Sequence, residues 1–152
     1  MVGSLPVMSI WTLPPDLDEV NRTLLGGHAA HLGLRALSFD EQSLTTEMVI
    51  TDDHRQPHGL LSGGASAALA EITAGIAGSH CIDVRRFMVV GQELNISHLR
   101  GVRGGTIYAT ARPARLGRRS QVWLIDIRDG AGQAVATARL TNAVIEQQGE
   151  PP

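Results

Sequence analysis

The sequence predicts an α+β fold, in which an antiparallel sheet of about six strands packs around one long central helix. Two observations lead to this prediction: a Gly- and Ala-rich segment over residues 60–78, and six segments whose residues suit strands, the last four with partial alternation of apolar and polar side chains. A helix with small side chains on every side must lie close to a sheet to bury its surface. The 152 residues, 43% of them hydrophobic, suit one domain over residues 1–152.

Local signals place each element in turn. A proline pair opens a first helix over 16–25 and a glycine pair ends it, and the central helix is predicted over about 63–80. Residues 1–6 and 147–152 are rich in polar, Gly and Pro residues, so we expect poorly ordered ends there. Strands are predicted over 33–39, 43–50, 87–98, 105–113, 119–128 and 134–146, with turns at 40–42 and 129–132.

Composition argues against several classes of function. The formal net charge of −2 argues against general nucleic-acid binding, although a local basic patch can still hold a phosphorylated ligand. No signal peptide is recognised, and the longest apolar stretch is too rich in Gly and Ala to suit a membrane span, so we expect no membrane partner. Cys81 is the only cysteine, which excludes an intrachain disulfide and favours the cytoplasm.

An isolated carboxylate, Glu71, interrupts the apolar central helix. Removing an ionised carboxylate from water is costly unless hydrogen bonds or an opposite charge compensate. Glu71 is therefore a candidate catalytic group. The alternative is an amphipathic helix with Glu71 facing solvent, and the residues leave both interpretations open.

The segment RQPHGLLSGGASAALAE, from Arg55 to Glu71, resembles the Gln-Pro-aromatic-Gly-Leu-Leu-His-Gly-Gly-Ala-Ser signature of the hotdog-fold, PaaI-like acyl-CoA thioesterases. The segments VVGQELNISHLR and ARLGRRSQVWLIDI fall where that family has comparable strands, and the likeness covers roughly residues 30–145. The resemblance implies a sheet wrapped around one helix and hydrolysis of an acyl- or aryl-CoA thioester to free acid and CoA. It implies no cofactor, because CoA is part of the substrate.

The resemblance also assigns roles to residues. Glu71 would act as a general base or as a nucleophile, and Gln56 would hydrogen-bond the thioester oxygen or orient the attacking water. Three loop arginines, Arg115, Arg118 and Arg119, would contact CoA phosphates, although a solvated basic patch is the alternative interpretation. The residues implied in substrate or CoA binding are His58, Val90, Ser97, His98, Leu99, Arg100, Arg115, Leu116, Gly117, Arg118 and Arg119.

Ser62, Gly63 and Gly64 form the start of the central helix. Ser62 suits an N-cap, and the glycines leave backbone N–H groups bare at the positive end of the helix dipole, where an oxyanion is stabilised. Close packing of helix and sheet is the alternative reason for the glycine pair. Ser62 stands where the family usually has a histidine that helps to position the substrate carbonyl. This departure makes a non-catalytic acyl-CoA-binding module the alternative function. Gly75 likewise stands where the family commonly has a small hydroxyl residue, and Gly101 stands where it commonly has proline.

The spacing of the candidate groups predicts an oligomer. Seven residues separate Gly64 from Glu71, which places them about 10 Å apart along the helix axis. One helix cannot present both groups to a single carbonyl carbon, whereas two antiparallel helices related by a two-fold axis can. We therefore predict a homodimer with a site shared between subunits. The resemblance implies the same arrangement and a tetramer as a further assembly.

Two histidine pairs have spacings that suggest metal ligands. They are His28 with His31 and His54 with His58, but Pro57 argues against a helix through the second pair. No carboxylate or cysteine cluster completes a site with either pair. We predict no metal site.

Overall fold

The computed structural model describes residues 8–147. Three helices are present: α1 (Leu17–Thr23), α2 (Gly27–His31) and α3 (Gly63–His80). The strands are β1 (Arg35–Phe39), β2 (Leu44–Val49), β3 (Phe87–His98), β4 (Thr106–Leu116), β5 (Ser120–Asp129) and β6 (Ala134–Glu146). The predicted poorly ordered ends lie outside the described residues except at Gln147, whose amide donates to the carbonyl oxygens of Val84 and Phe87 at 3.0 and 3.1 Å.

The six strands form one antiparallel sheet in the order β1-β2-β4-β5-β6-β3. Helix α3 contacts every strand from β2 to β6. The predicted α+β architecture is therefore confirmed, including the hairpin that joins β1 to β2. Among the strands of residues 8–147, β3 pairs only with β6, so its other side is a sheet edge there.

Most predicted bounds agree with the structure. Helix α3 and strands β3 and β6 have the predicted limits, while β4 continues three residues further. Two short elements were not predicted: α2, and a single 3₁₀ turn at Asp52–His54. Helix α2 has only 5 residues, too few to show a helical period, and the glycine pair that was predicted to end the first helix lies at its start; α1 already ends at Thr23.

The core lies between α3 and the sheet. Six side chains of α3 have no exposed surface, and three of the six are alanines, which let the helix lie close to the strands. A second face of α3 is covered by α1, where Val20 and Leu24 pack near Ile72 and Ile76. A third face, which includes Gly64, Ala68, Glu71 and Gly75, stays partly accessible. The buried side chains of α3 are Ser66, Leu69, Ala70, Thr73, Ala74 and Ala77; the apolar side chains opposite include Leu44, Met48, Ile107, Trp123, Ile125 and Leu140.

Buried amides fix the C-terminal half of α3. Gln121 donates to the Gly78 carbonyl at 3.1 Å and accepts from the Trp123 indole at 3.0 Å. Asn142 donates to the Ala74 carbonyl at 3.3 Å. A Cβ on Gly78 would lie 2.4 Å from Gln121 Oε1, so glycine is needed for this close approach. The amides hold α3 at a fixed position against β5 and β6.

Candidate active site

Ser62 is the N-cap of α3, as predicted. Its Oγ accepts from the Gly64 N–H at 3.3 Å, and its carbonyl oxygen accepts from Ala65 and Ser66 at 3.1 and 3.3 Å. Within residues 8–147, the Gly63 N–H has no hydrogen-bond partner. Of the two predicted oxyanion donors, the Gly63 N–H is therefore free, whereas the Gly64 N–H donates to the Ser62 hydroxyl.

The imidazole of His98 lies against the start of α3. A Cβ on Gly63 would lie 2.9 Å from His98 Cε1 and 3.2 Å from Nε2, so the ring occupies the space that a side chain would fill. The Ser66 hydroxyl donates to the Gly63 carbonyl oxygen at 3.0 Å, and its Oγ is 2.9 Å from His98 Nε2. Ser66 was not singled out from the sequence, where a serine inside a helix carries no distinct signal.

A cleft of about 380 Å³ opens at this end of α3. It brings together two predicted catalytic residues, Gln56 and Gly63, with three predicted substrate contacts, His98, Leu99 and Arg100. The Gln56 backbone closes a tight loop, since its N–H donates to Leu60 and its carbonyl accepts from Gly59, both at 2.8 Å. Its side-chain amide has no partner among the described residues and is available to a ligand in the cleft.

Two other predicted substrate contacts, His58 and Ser97, do not line this cleft, and Arg100, which does, is already paired. His58 is exposed, and its carbonyl oxygen accepts from Arg103 at 3.2 Å. Ser97 is exposed on β3, opposite Thr137. The guanidinium of Arg100 already pairs with Asp129. The Asp129 carboxylate has its pKa lowered mainly by the backbone N–H of Gln133 and additionally by the Arg100 hydrogen bond.

Glu71 is half-buried and lies against β3. A Cβ on Gly91 would lie 2.5 Å from Glu71 Oε1, so the carboxylate occupies the space above this glycine. Within the described chain, Glu71 forms no ion pair and its side chain forms no hydrogen bond. A half-buried carboxylate without a partner argues against the solvent-facing alternative.

Gly91 is a residue of the site that sequence reasoning missed. The register of β3 against β6 shifts between Gly91 and Glu93, which marks a β-bulge next to Glu71. A glycine inside a strand often marks a bulge or a close approach, and this signal was available in VVGQEL. Val90, the predicted substrate contact, is the preceding residue; it is 39% exposed and pairs with Ala143. Because side chains alternate along a strand, Val90 and Gly91 face opposite sides of the sheet near the bulge.

Within one subunit, Glu71 does not line the cleft that contains Gly63. Eight residues along α3 separate the two, which corresponds to about 12 Å of helix rise. The structure thus keeps Glu71 away from Gly63, and this separation is the one from which a site shared between two subunits was predicted.

The predicted arginine loop lies at the opposite end of α3. Arg115 and Leu116 end β4, and Gly117 to Arg119 connect it to β5; the Gly117 N–H closes this connection by donating to the Ser120 carbonyl at 2.9 Å. We call residues 115–119 the β4–β5 turn. Within the described part of the chain its three arginines form no ion pair. Leu116, Gly117 and Arg118 line a second cleft of about 390 Å³ together with Cys81 and Ile82 near the end of α3.

Three further sequence observations have structural counterparts. Burial raises the pKa of the Cys81 thiol to about 12.

His54 is buried, and its Nδ1 accepts from the Thr51 N–H at 3.1 Å, whereas His28, His31 and His58 are exposed. Over residues 8–147 no group of three or more His, Cys, Asp or Glu side chains is arranged to hold a metal ion.

No helix among residues 8–147 combines the length and the apolar character needed to cross a bilayer.

Comparison with known proteins identifies the family. Residues 58–136 match the thioesterase superfamily. Thioesterase PA1618 of Pseudomonas aeruginosa is 41% identical over 142 residues, covering 93% of this chain and 98% of that protein. The crystal structure of a glutamine-to-alanine variant of PA1618 has a TM-score of 0.90 at 40% identity, covering 91% of this chain and 100% of that one.

Two further relatives have named activities. The 1,4-dihydroxy-2-naphthoyl-CoA hydrolase of Escherichia coli is 35% identical, covering 90% of this chain and 99% of that protein. The proofreading thioesterase EntH of Cronobacter turicensis is 38% identical, covering 90% of this chain and 98% of that protein. Thioester hydrolysis is the activity that these names share. The chain belongs to the thioesterase superfamily, with the hotdog fold that its sequence predicts.

Proposed function

We propose that this protein hydrolyses an acyl- or aryl-CoA thioester to the free acid and CoA. The observation that carries the proposal is the pairing of two features: a cleft in which the Gly63 N–H and the Gln56 amide are free, and an unpartnered, half-buried Glu71. The first feature suits a carbonyl oxygen that gains negative charge. The second suits a general base or a nucleophile.

In the proposed reaction, the thioester oxygen accepts hydrogen bonds from the Gly63 N–H and the Gln56 amide. If Glu71 is a general base, it takes a proton from water as the water oxygen bonds to the carbonyl carbon. The carbon–sulfur bond then breaks, and CoA leaves as a thiolate that takes up a proton. If Glu71 is the nucleophile, its oxygen bonds to the carbonyl carbon and expels CoA, and water then hydrolyses the mixed anhydride. Both routes consume one water and give the same products.

The site is proposed to form between two subunits. Strand β3 is a sheet edge of 12 residues, and unpaired strand edges favour pairing with another chain. Gly91 adjoins Glu71, and His98 adjoins Gly63. A two-fold axis between Leu94 and Asn95, midway between these positions, would place Gly91 of one subunit opposite the partner's His98. Glu71 would then approach the start of the partner's α3, and the accessible face of α3 would pack against its mate.

The β4–β5 turn is proposed to bind the CoA phosphates. Its arginines have no carboxylate partner in the described chain and lie beside an apolar cleft. A guanidinium group can make two parallel hydrogen bonds to a phosphate, which suits this role. Arg100 is less suited, because Asp129 already neutralises it.

The relatives favour an aromatic acyl group. The E. coli relative acts, by its name, on an aryl-CoA, 1,4-dihydroxy-2-naphthoyl-CoA. A CoA thioester substrate and a lone cysteine also suit the cytoplasm, which remains our proposal for its location.

Release of CoA from benzoyl-CoA and 1,4-dihydroxy-2-naphthoyl-CoA, followed with a thiol reagent, tests the proposed function. The wild-type protein should turn over at least one of them, and Glu71→Gln should reduce kcat by about 10³-fold or more, because it removes the base or nucleophile. Glu93→Gln is a matched control, since Glu93 is exposed and pairs with Arg139. Tight CoA-ester binding without thiol release would instead support the acyl-CoA-binding module.

A further inference from the structure

Gln56 begins a tight turn beside the cleft. The Gly59 N–H donates to the Gln56 carbonyl oxygen, and the Gln56 N–H donates to the Leu60 carbonyl oxygen, both at 2.8 Å. These two bonds fix the backbone within residues 56–60, but they do not attach the turn to the rest of the protein. The Gln56 side chain can keep one position in the cleft only if other contacts hold the turn in place.

The connection between β3 and β4, residues 99–105, supplies such contacts through one residue, Arg103. The carbonyl oxygen of Arg103 accepts from Arg55 Nε at 2.7 Å. The guanidinium of Arg103 donates from Nη1 to the His58 carbonyl oxygen at 3.2 Å. Arg103 therefore bonds the chain on both sides of Gln56, with its backbone before this residue and with its side chain after it.

Gly59 gives the guanidinium room to approach the turn. Its φ is +77°, and a Cβ at this position would lie 3.0 Å from Arg103 Nη1. Glycine therefore permits both the backbone conformation of the turn and the contact with the guanidinium. Within residues 8–147 Arg103 forms no ion pair, so the hydrogen bond to the turn is not an accessory of a salt bridge.

We propose that Arg103 is a positioning residue, whose guanidinium holds the turn so that the Gln56 amide donates to the thioester oxygen. This inference rests on the proposed thioester hydrolysis. Truncation of Arg103 leaves the bond from Arg55 to the Arg103 carbonyl in place. It also leaves the Leu61 N–H donating to the Val102 carbonyl at 2.8 Å. Only the tip of the turn is released, so the Gln56 amide loses its fixed position while the fold persists.

Binding of two non-hydrolysable probes tests the proposal without requiring turnover. One probe is the ketone analogue of benzoyl-CoA in which a methylene replaces sulfur, and the other lacks the carbonyl oxygen as well. In calorimetry, Arg103→Ala should weaken the ketone probe about three- to tenfold, the loss expected for one hydrogen bond, and leave the second probe within about twofold. Equal weakening of both probes would overturn the proposal, because Arg103 would then contact another part of CoA, such as a phosphate.

Steady-state kinetics on benzoyl-CoA supply a second readout. Arg103→Ala should lower kcat about 10- to 10²-fold with KM within about threefold, because a displaced donor stabilises the oxyanion less. In a Gln56→Ala background, which already lacks the donor, the same substitution should change kcat by less than about twofold. An unchanged kcat, or losses that multiply in the double variant, would overturn the proposal.

Arg128→Ala is the matched control. Arg128 Nη1 donates to the Gly132 carbonyl oxygen at 3.0 Å, so this substitution removes an exposed bond of the same kind from a turn that does not line the cleft. Its kcat should stay within about twofold of wild type, and a loss as large as that of Arg103→Ala would overturn the proposal. If Arg103→Ala does not fold, Arg103→Met gives the same comparisons, because it keeps the apolar stem and lacks the donors.

The two readouts separate this inference from the proposed hydrolysis. A wild-type protein that binds the probes without turnover of any CoA ester refutes the hydrolysis, while the probes still decide the role of Arg103. Turnover that Glu71→Gln abolishes supports the hydrolysis, whatever the result for Arg103. A wild-type protein that binds both probes equally has no effective donor at the carbonyl oxygen, and this result would overturn the inference.

Discussion

Gly91 has no side chain, and the Glu71 carboxylate occupies the space that a Cβ at this position would fill. Gly91→Ala therefore tests whether activity depends on the position of this carboxylate. The added Cβ would lie 2.5 Å from Glu71 Oε1 and 3.4 Å from Glu71 Cδ. Ordinary carbon–oxygen contact begins near 3.4 Å, so the carboxylate oxygen must move by roughly 1 Å. The oxygen is at the end of a flexible side chain, so we expect the carboxylate, not the strand, to move.

A displacement of about 1 Å of a reacting group typically reduces the rate by about 10²-fold. We therefore expect Gly91→Ala to lower kcat on benzoyl-CoA by about this factor, while the free energy of unfolding changes by less than about 1 kcal/mol. The measurements are thiol release and urea unfolding. Gly130→Ala is the matched control, because nothing lies within 4 Å of its Cβ position and its φ lies outside the left-handed region. A kcat for Gly91→Ala within about threefold of wild type would refute this account of Glu71.

Three more predictions follow from the structure. Gly78→Ala should destabilise the fold by about 1–3 kcal/mol in urea unfolding, because the buried Gln121 amide cannot yield to the added methyl; a stability equal to wild type would contradict this. Replacing the three arginines of the β4–β5 turn by alanine should raise KM for benzoyl-CoA at least about tenfold and leave kcat within about threefold, whereas an unchanged KM would exclude a CoA-phosphate role. Cys81, with its pKa raised by burial from 9.0 to about 12, should react with a thiol reagent roughly 10³-fold more slowly at pH 8 in the native than in the unfolded protein, and its rate should rise with pH until about 12; equal rates would show an accessible thiolate.

Local patterns in the sequence predicted the central helix and its cap. The small side chains, Ser62 and the glycine pair are each interpretable from their immediate neighbours, so α3 and its N-terminus were placed with the correct limits. The isolated position of Glu71 on an apolar helix also made it the candidate catalytic residue. The sequence left open whether Glu71 faces solvent, and the half-buried position against Gly91 argues against that.

Contacts between distant segments could not be predicted in the same way. The ring of His98 meets Gly63, 35 positions earlier in the chain, because β3 pairs with β6 at the sheet edge and ends beside the helix start. The pairing of Arg100 with Asp129 likewise depends on where β3 ends relative to the β5–β6 turn. Periodicity within a strand specifies which face a side chain takes, but not which neighbour it meets.

The shared site is the central claim, and complementation between two inactive variants tests it most directly. Glu71→Gln and Gln56→Ala are co-expressed at equal levels and purified together, and kcat on benzoyl-CoA is compared with each variant alone. If Glu71 and Gln56 of one site come from different subunits, half of the dimers are mixed and each mixed dimer has one intact site, so activity should return to about a quarter of wild type. If both residues act within one subunit, the mixture stays as inactive as the separate variants, and the account is contradicted.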